Sequence, residues 1–281
     1  MLREARRDVK RAVVFSKSVS DVFRVVAVDA ALRAGAFLRS RFGSRPTVAY
    51  KGSPTNLVTE MDRGAEAIIV EAIRARFPGH AILAEESGAL AGSPGHRWIV
   101  DPLDGTTNYA HGLPIYGVSI GLEIDGALAV GVVYDPSREE CFVAERGRGA
   151  TCNDAPIRVS ATPRMAESLL GTSYPNDIRG APRDNLAEHG ALMFRCRSVR
   201  SIGSAVLGLA AVAAGRLDGY WEQRLGAWDV AAGALLIREA GGTVTSVHGG
   251  PLDLGAPSIT ASNGAIQSEI IEALKEVASP R

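Results

Sequence analysis

The chain has 281 residues, 46% of them hydrophobic, with 31 Lys and Arg balanced by 31 Asp and Glu. That length suits one large domain or two closely packed lobes with a substantial core, and the zero net charge argues against a broad nucleic-acid-binding face, though not against a local basic patch; no specific nucleic acid is expected as a partner. No apolar run reaches the roughly 18–20 residues of a membrane span, and Cys141, Cys152 and Cys196 form neither a CxxC pair nor a disulfide frame, so a reducing, cytoplasmic setting is expected.

The first 17 residues carry six Lys or Arg against two acids. Without a long apolar stretch they read as a solvated basic helix or tail, not as a secretory signal. Residues 1–20 are therefore taken as an extension to a single domain over 21–281, with lobes at about 21–160 and about 161–281. Val22, Val25, Val26, Ala30, Leu32, Phe37 and Leu38 recur at helical spacing and predict a helix over Val22–Phe42, stopped by Gly43. Ile68, Ile69, Ala72, Ile73 and Phe77 predict a second helix, Asp62–Phe77, ended by Pro78-Gly79. Short strands follow at Ala81–Ala84, running into Glu85-Glu86-Ser87, and at Trp98–Val100, running into Asp101. Gly117–Ile124, Ala127–Tyr134 and Glu140–Glu145 read as strands, the first two joined by an Asp125-Gly126 turn. Gly147–Pro156 reads as loop. Beyond it, strands are expected at Leu169–Ser173, Arg197–Ser201, Gly219–Trp221, Thr243–Ser246 and Ser258–Ser262. Helices are expected at Asn185–Met193, Ser204–Ala214, Asp229–Ala240 and Gly264–Val277. An antiparallel-looking first half before an α/β second half predicts sheet-and-helix lobes packed as layers.

Four acidic sites share a position type, at strand ends or helix starts: Asp62, Glu85, the pair Asp101 and Asp104, and Asp229. Such positions present groups to a cleft. Each has an ordinary explanation alone. Asp62 and Asp229 suit helix N-termini, Glu85 a solvated loop, and Asp101 and Asp104 turns. Together, with no His or Cys pattern nearby, they suit a hard, oxygen-loving cation such as Mg²⁺. In "DPLDGTTN" (Asp101–Asn108), Gly105 lets the backbone approach a ligand, and Thr106 and Thr107 open a short helix whose free amides suit a phosphate oxygen. Cations beside a phosphate-sized anion site point to phosphoryl transfer.

The same octapeptide resembles the DP(I/L)DGTxN signature of the inositol monophosphatase family. "WDVAAG" (Trp228–Gly233) resembles the family's second signature, and "NLVTEMD" (Asn56–Asp62) and "AEES" (Ala84–Ser87) resemble its other metal-site segments. The resemblance runs from about Val22 to Val277 and implies a layered αβαβα sandwich (an α/β, α+β fold) shared with fructose-1,6-bisphosphatases. It implies two or three Mg²⁺ per site, held by Glu85, Asp101, Asp104, Asp229 and the backbone carbonyl of Leu103, with Asp62 helping to hold a further, weaker ion. It also implies a water activated near Asp62 and Thr106 that attacks phosphorus in line, without a covalent phosphoenzyme, and a leaving alkoxide protonated by water near Asp229. Glu85, Leu103, Asp104, Gly105, Thr106 and Asp229 then surround the phosphate. Gly203, Ser204 and Ala205 of "SIGSA" and Glu222, seven residues before Asp229, match the hydroxyl-binding positions, and Lys51 matches a lysine near the site. Taken alone, Ser204 reads as a helix N-cap, and Glu222 and Lys51 as surface charges.

One departure is Asn56, where many members carry Asp. The expected substrate is a small phosphorylated polyol, inositol monophosphate first, for a cytoplasmic homodimer. Fructose-1,6-bisphosphatase and histidinol-phosphate phosphatase activities are alternatives, whereas Gly105-Thr106-Thr107-Asn108 departs from the DGTK of bisphosphate nucleotidases. An alternative of another class is a regulator that contacts the transcription machinery while keeping the phosphatase site, through the basic N-terminal stretch and "FRCRSVR" (Phe194–Arg200).

Overall fold

The computed structural model describes residues 2–44, 48–50, 57–175 and 184–278. In chain order the elements are α1 (Leu2–Arg41), β1 (Val48–Tyr50), β2 (Leu57–Thr59), α2 (Glu60–Arg76), β3 (His80–Ala84), β4 (Gly88–Leu90), β5 (Ser93–Asp104), α3 (Thr106–Ala110), β6 (Gly117–Ile124), β7 (Ala127–Asp135), β8 (Glu140–Glu145), β9 (Ala150–Cys152) and β10 (Ala155–Pro156). The second half adds β11 (Leu169–Thr172), α4 (Leu186–Met193), β12 (Ser198–Ser201), α5 (Ala205–Ala213), β13 (Gly219–Glu222), α6 (Ala227–Glu239), β14 (Thr243–Thr245), β15 (Ile259–Ser262) and α7 (Gln267–Ala278). The strands form a β1–β2 hairpin, an eight-stranded sheet in the order β10-β9-β8-β7-β6-β5-β3-β4, and a five-stranded sheet in the order β12-β11-β13-β15-β14.

Alternation along the strands sets the layers, because successive side chains point to opposite faces. Trp98 and Val100 of β5 pack with α1 and α2 in one apolar cluster, where Ile69 and Ile73 are fully buried and contribute about 2 kcal/mol each. Between them, Ile99 faces a second cluster built on α5 and α6. In the small sheet Tyr220 joins that middle cluster, while its neighbour Trp221 faces α4 and α7 with Leu192, Ile270 and Leu274. The result is a five-layer αβαβα sandwich. The middle layer lies close to the large sheet because small residues meet there: a Cβ on Gly131 of β7 would sit 2.8 Å from the Ala232 carbonyl oxygen of α6. That close approach fixes where the N-terminus of α6, and with it Asp229, is delivered.

Three expectations change. The first helix starts at Leu2, not near Val22, and so takes in residues 2–20. The expected three-residue strand at Trp98 is twelve residues long. Ser93-Pro94-Gly95 reads as turn chemistry, but Arg97 pairs with Glu123 across β5 and β6 at 2.6 Å and extends the ladder. The strand also runs on through Asp101 to Asp104, with a register shift between them, so these aspartates lie in an irregular strand end and not in a separate loop. Gly147–Pro156, expected as loop, contains the short edge strands β9 and β10. Among the described residues no helix is long and apolar enough to cross a membrane.

Candidate active site

The edge where β3, β5 and β13 end and α3, α5 and α6 begin surrounds a cleft of about 650 Å³. It is lined by Glu85, Asp101, Leu103, Asp104, Gly105, Thr106, Gly203, Ser204, Ala205, Glu222 and Asp229, together with residues the sequence motifs did not single out. Asp62 lies behind this wall, buried. Lys51 and Asn56 lie outside the described residues.

Asp62 and Asp229 are each the third residue of a helix, and each returns its carboxylate to the backbone that precedes the helix. Asp62 Oδ2 accepts the Thr59 amide at 2.7 Å and the Thr59 hydroxyl at 2.6 Å, in a reciprocal capping box with Thr59. Asp62 Oδ1 accepts from the Thr106 hydroxyl at 2.8 Å. Thr106 Oγ1 is also 3.0 Å from the Leu103 carbonyl oxygen. One hydroxyl proton serves only one of these acceptors. Asp229 Oδ2 accepts the Gly226 amide at 2.6 Å.

Asp101, Asp104 and Asp229 each offer an oxygen lying within 4.8 Å of the other two. Asp101 is buried and accepts the Leu103 amide at 3.0 Å. Asp104 Oδ2 accepts from the Ser204 hydroxyl and, at 2.9 Å, from the Val206 amide in the first turn of α5. Ser204 also caps α5 by accepting the Leu207 amide at 3.2 Å, so its predicted N-cap role coexists with a place in the cleft. Burial raises all three carboxyls, because it disfavours the charged form. Asp101 is pushed well above the usual range by burial and by Glu85, Asp104 and Asp229. Asp104 rises to about 6 through burial, against the opposing hydrogen bonds from Ser204, Val206, Ala205 and Gly105. Asp229 rises to about 8 through burial, Asp104 and Glu85. This all-oxygen donor set, crowded enough to hold protons, fits a hard divalent cation.

Gly105 turns the chain from β5 into α3 with φ 87°, and a Cβ there would meet the Ile115 carbonyl oxygen at 2.8 Å. Only glycine suits both constraints. The Asn108 side-chain amide then lies 2.9 Å from the Ile115 carbonyl and 3.2 Å from those of Ile202 and Gly203, tying the large-sheet motif to "SIGSA".

The opposite wall is a hydrogen-bonded network. The buried Tyr220 hydroxyl donates to Glu222 and lies 3.1 Å from Ser173 Oγ, which accepts the Gly203 amide at 2.9 Å. Asn185 donates to the Ser173 carbonyl at 2.8 Å. Burial first, then Asp229 and Asp104, push the Glu222 carboxyl well above the usual range, against the Tyr220 hydrogen bond. The chain motifs also missed Glu66. One turn beyond Asp62 on α2 and buried, it accepts the Glu86 amide at 2.8 Å and so holds the segment carrying Glu85. Thr59 was legible as the first residue of a Thr-x-x-Asp capping box; Glu66, Ser173 and Tyr220 carried no local signal.

Residues 20–279 match the profile described as the inositol monophosphatase family. An inositol-1-monophosphatase from Synechocystis is 47% identical over 93% of this chain and 91% of its own length. A protein named Nus factor SuhB from Pasteurella multocida is 41% identical over 89% and 94%. The solved inositol monophosphatase of Anabaena superposes with a TM-score of 0.83 at 45% identity, covering 91% of this chain and 96% of that one.

Proposed function

The chain belongs to the inositol monophosphatase family and hydrolyses phosphate monoesters, and from that premise we propose inositol monophosphate as its substrate and Mg²⁺ as its cofactor, two or three ions per site. The observation that carries the cofactor reading is the convergence of Asp101, Asp104 and Asp229, whose oxygens lie within 4.8 Å of one another in the cleft. With Glu85 and the Leu103 carbonyl they form the donor set. Bound there, Mg²⁺ supplies positive charge that lowers the pKa of water and offsets the repulsion between a phosphate dianion and an oxygen nucleophile.

The protein's own groups do the rest. Thr106 donates its hydrogen bond to Asp62, which would leave the Leu103 carbonyl for the cation and the Thr106 lone pairs for an attacking water. Asp62 thereby orients that water through Thr106 and would also help to hold a further, weaker cation. Gly105 brings the backbone against the phosphate, and Asp229 stands where the leaving oxygen takes its proton. Glu222, held by Tyr220, and the Gly203–Ala205 turn receive the polyol hydroxyls. Lys51 is assigned to the phosphate end by resemblance alone.

Fructose 1,6-bisphosphate and histidinol phosphate share the phosphate end and differ only at the second wall. A substrate panel separates them: inositol monophosphate is expected to have the highest kcat/KM, activity is expected to vanish in excess EDTA and return with Mg²⁺, and full activity in EDTA overturns the mechanism. The relatives named Nus factor SuhB favour a second reading, a transcription-machinery contact added to catalysis. Leu186, Met193 and Phe194, the last 85% exposed, give either such a partner or a homodimer an apolar face along α4. Sedimentation with and without the candidate partner tests both. The free thiols Cys141, Cys152 and Cys196 suit a reducing cytoplasm.

A further inference from the structure

Among the described residues that line the cleft, two carry aromatic rings, Trp228 and Tyr174. Trp228 stands beside Asp229 at the carboxylate cluster, and its ring is folded over Gly226, where a Cβ would meet Trp228 Cε2 at 2.4 Å. Tyr174 stands at the other wall. It follows Ser173, whose hydroxyl lies 3.1 Å from that of Tyr220, the residue that donates to Glu222. Strands β11 and β13 run parallel with Thr172 opposite Trp221, so Ser173 and Tyr174 leave the sheet alongside Glu222 and Gln223.

A tyrosine beside a polyol would ordinarily be counted as a hydroxyl partner. Here the hydroxyl is engaged elsewhere: it shares a hydrogen bond with His189 Nδ1 on α4, and the two rings lie nearly parallel, 14° apart with centroids at 6.0 Å. His189 is itself set edge-on, at 73°, to the buried Trp221. The Gln223 side-chain amide donates to Glu188 of the same helix at 2.7 Å, so α4 braces both segments of this wall. The half-buried Tyr174 ring is thus held from behind, and what it offers the cleft is carbon surface. A cyclic polyol has matching needs: hydroxyls around its rim and apolar C–H groups on its faces. Ligand clefts meet such faces with aromatic side chains and reserve a few polar groups for orientation.

We infer that Tyr174 is a specificity-determining residue whose ring packs on the C–H face of a cyclic polyol monophosphate, with His189 as the positioning residue that holds the ring in place. This rests on the proposed placement of the polyol at Glu222. Packing on carbon is non-directional and follows the apolar area covered. The enzyme then favours ring-shaped polyol monophosphates over short acyclic ones, and the preference resides in binding and not in the chemical step.

The test measures kcat and KM of the full chain with Mg²⁺ for inositol monophosphate and glucose 1-phosphate, which are cyclic, and for glycerol 2-phosphate, which is not. The quantity read is the ratio of kcat/KM for a cyclic substrate to that for glycerol 2-phosphate. Tyr174→Ala is expected to lower this ratio roughly tenfold, through KM, the scale of uncovering part of one aromatic face. Tyr174→Phe keeps the ring without the hydroxyl and is expected to hold the ratio within about threefold of wild type. His189→Ala leaves the ring in place but unbraced, and should lower the ratio by less than Tyr174→Ala does. Tyr174→Leu keeps bulk without a flat face; it should also lower the ratio, and it serves if the alanine variant fails to fold. An unchanged ratio in Tyr174→Leu, or a tenfold fall already in Tyr174→Phe, overturns the inference, as does a fall that comes from kcat alone. Failure of wild type to turn over inositol monophosphate sinks the substrate reading separately, and the ratio is then read with glucose 1-phosphate; failure on both cyclic substrates overturns the inference as well.

Discussion

Asp62 and Asp229 begin from the same local device and end in different surroundings. Each is the third residue of its helix, and each carboxylate folds back onto the amide ahead of it, of Thr59 at 2.7 Å and of Gly226 at 2.6 Å. They part in what surrounds the remaining oxygen. Around Asp62 the neighbours are hydroxyls, Thr59 and Thr106, and the carboxylate is enclosed by protein donors. Around Asp229 the neighbours are the carboxyls of Asp101 and Asp104, and burial first, then Asp104 and Glu85, drive the group to about 8. A helix N-terminus therefore makes a carboxylate available without deciding its job. In the proposed mechanism hydroxyl neighbours suit it to orient a proton, and acidic neighbours suit it to hold a cation.

The cluster side of this contrast breaks most sharply at Asp101. Asp101→Asn keeps an acceptor for the Leu103 amide but removes the most crowded charge. Turnover is expected to fall by roughly 10³-fold or more, the scale of losing a preorganised electrostatic group, and calorimetry should find Mg²⁺ binding lost. In EDTA the same variant should melt higher, by roughly 2–4 °C, because repulsion among buried carboxyls is relieved. A lower melting point in EDTA contradicts the repulsion.

The hydroxyl side answers differently. Thr106→Val and Asp62→Asn are each expected to cut kcat by roughly 10²-fold, as for one positioned acid–base group. Mg²⁺ affinity should hardly move, and the double variant should lose much less than the sum. Independent, additive losses separate Asp62 from Thr106. Glu66 acts on the cluster from outside: Glu66→Ala frees the Glu86 amide and should weaken Mg²⁺ binding roughly tenfold, whereas Glu66→Gln, still an acceptor, should retain most of it. Equal behaviour of the two variants removes Glu66 from that role.

The smallest effect is in pH. Asp104 and Asp229 keep protons up to about 6 and about 8, above the ordinary 3.8. Between those limits the metal-free folded chain holds protons the unfolded chain has released, so its stability falls as pH rises through the window. Cation binding needs these groups deprotonated. The rise in melting temperature caused by Mg²⁺ should therefore grow from about pH 6 to about pH 8, and a flat difference across that range removes the carboxyls as its source.

Much of the cluster was legible because its parts are local. Asp101, Asp104, Gly105 and Thr106 share one strand–turn–helix, and Asp229 starts the next decisive helix. Their meeting also depends on Gly131 and Ala232, whose close packing seats α6 on the sheet. The second wall was less legible, because its partners are distant in sequence: Tyr220 reaches Ser173, and Asn108 reaches Ile202 and Gly203. Glu66 was hidden for the same reason, its partner being Glu86 on another element. Ser93–Arg97 lost its strand identity to Pro and Gly, and only pairing with β6 restores it.

The central claim is that the cation sits among Asp101, Asp104 and Asp229, and that Asp62 works through Thr106. Anomalous diffraction from crystals grown with Mn²⁺ in place of Mg²⁺ tests it most directly. The strongest peak is expected within coordination distance of oxygens from all three clustered aspartates, with the Thr106 hydroxyl still against Asp62. An active, Mn²⁺-loaded crystal with no peak at that cluster, or with its strongest peak directly on Asp62, contradicts the assignment.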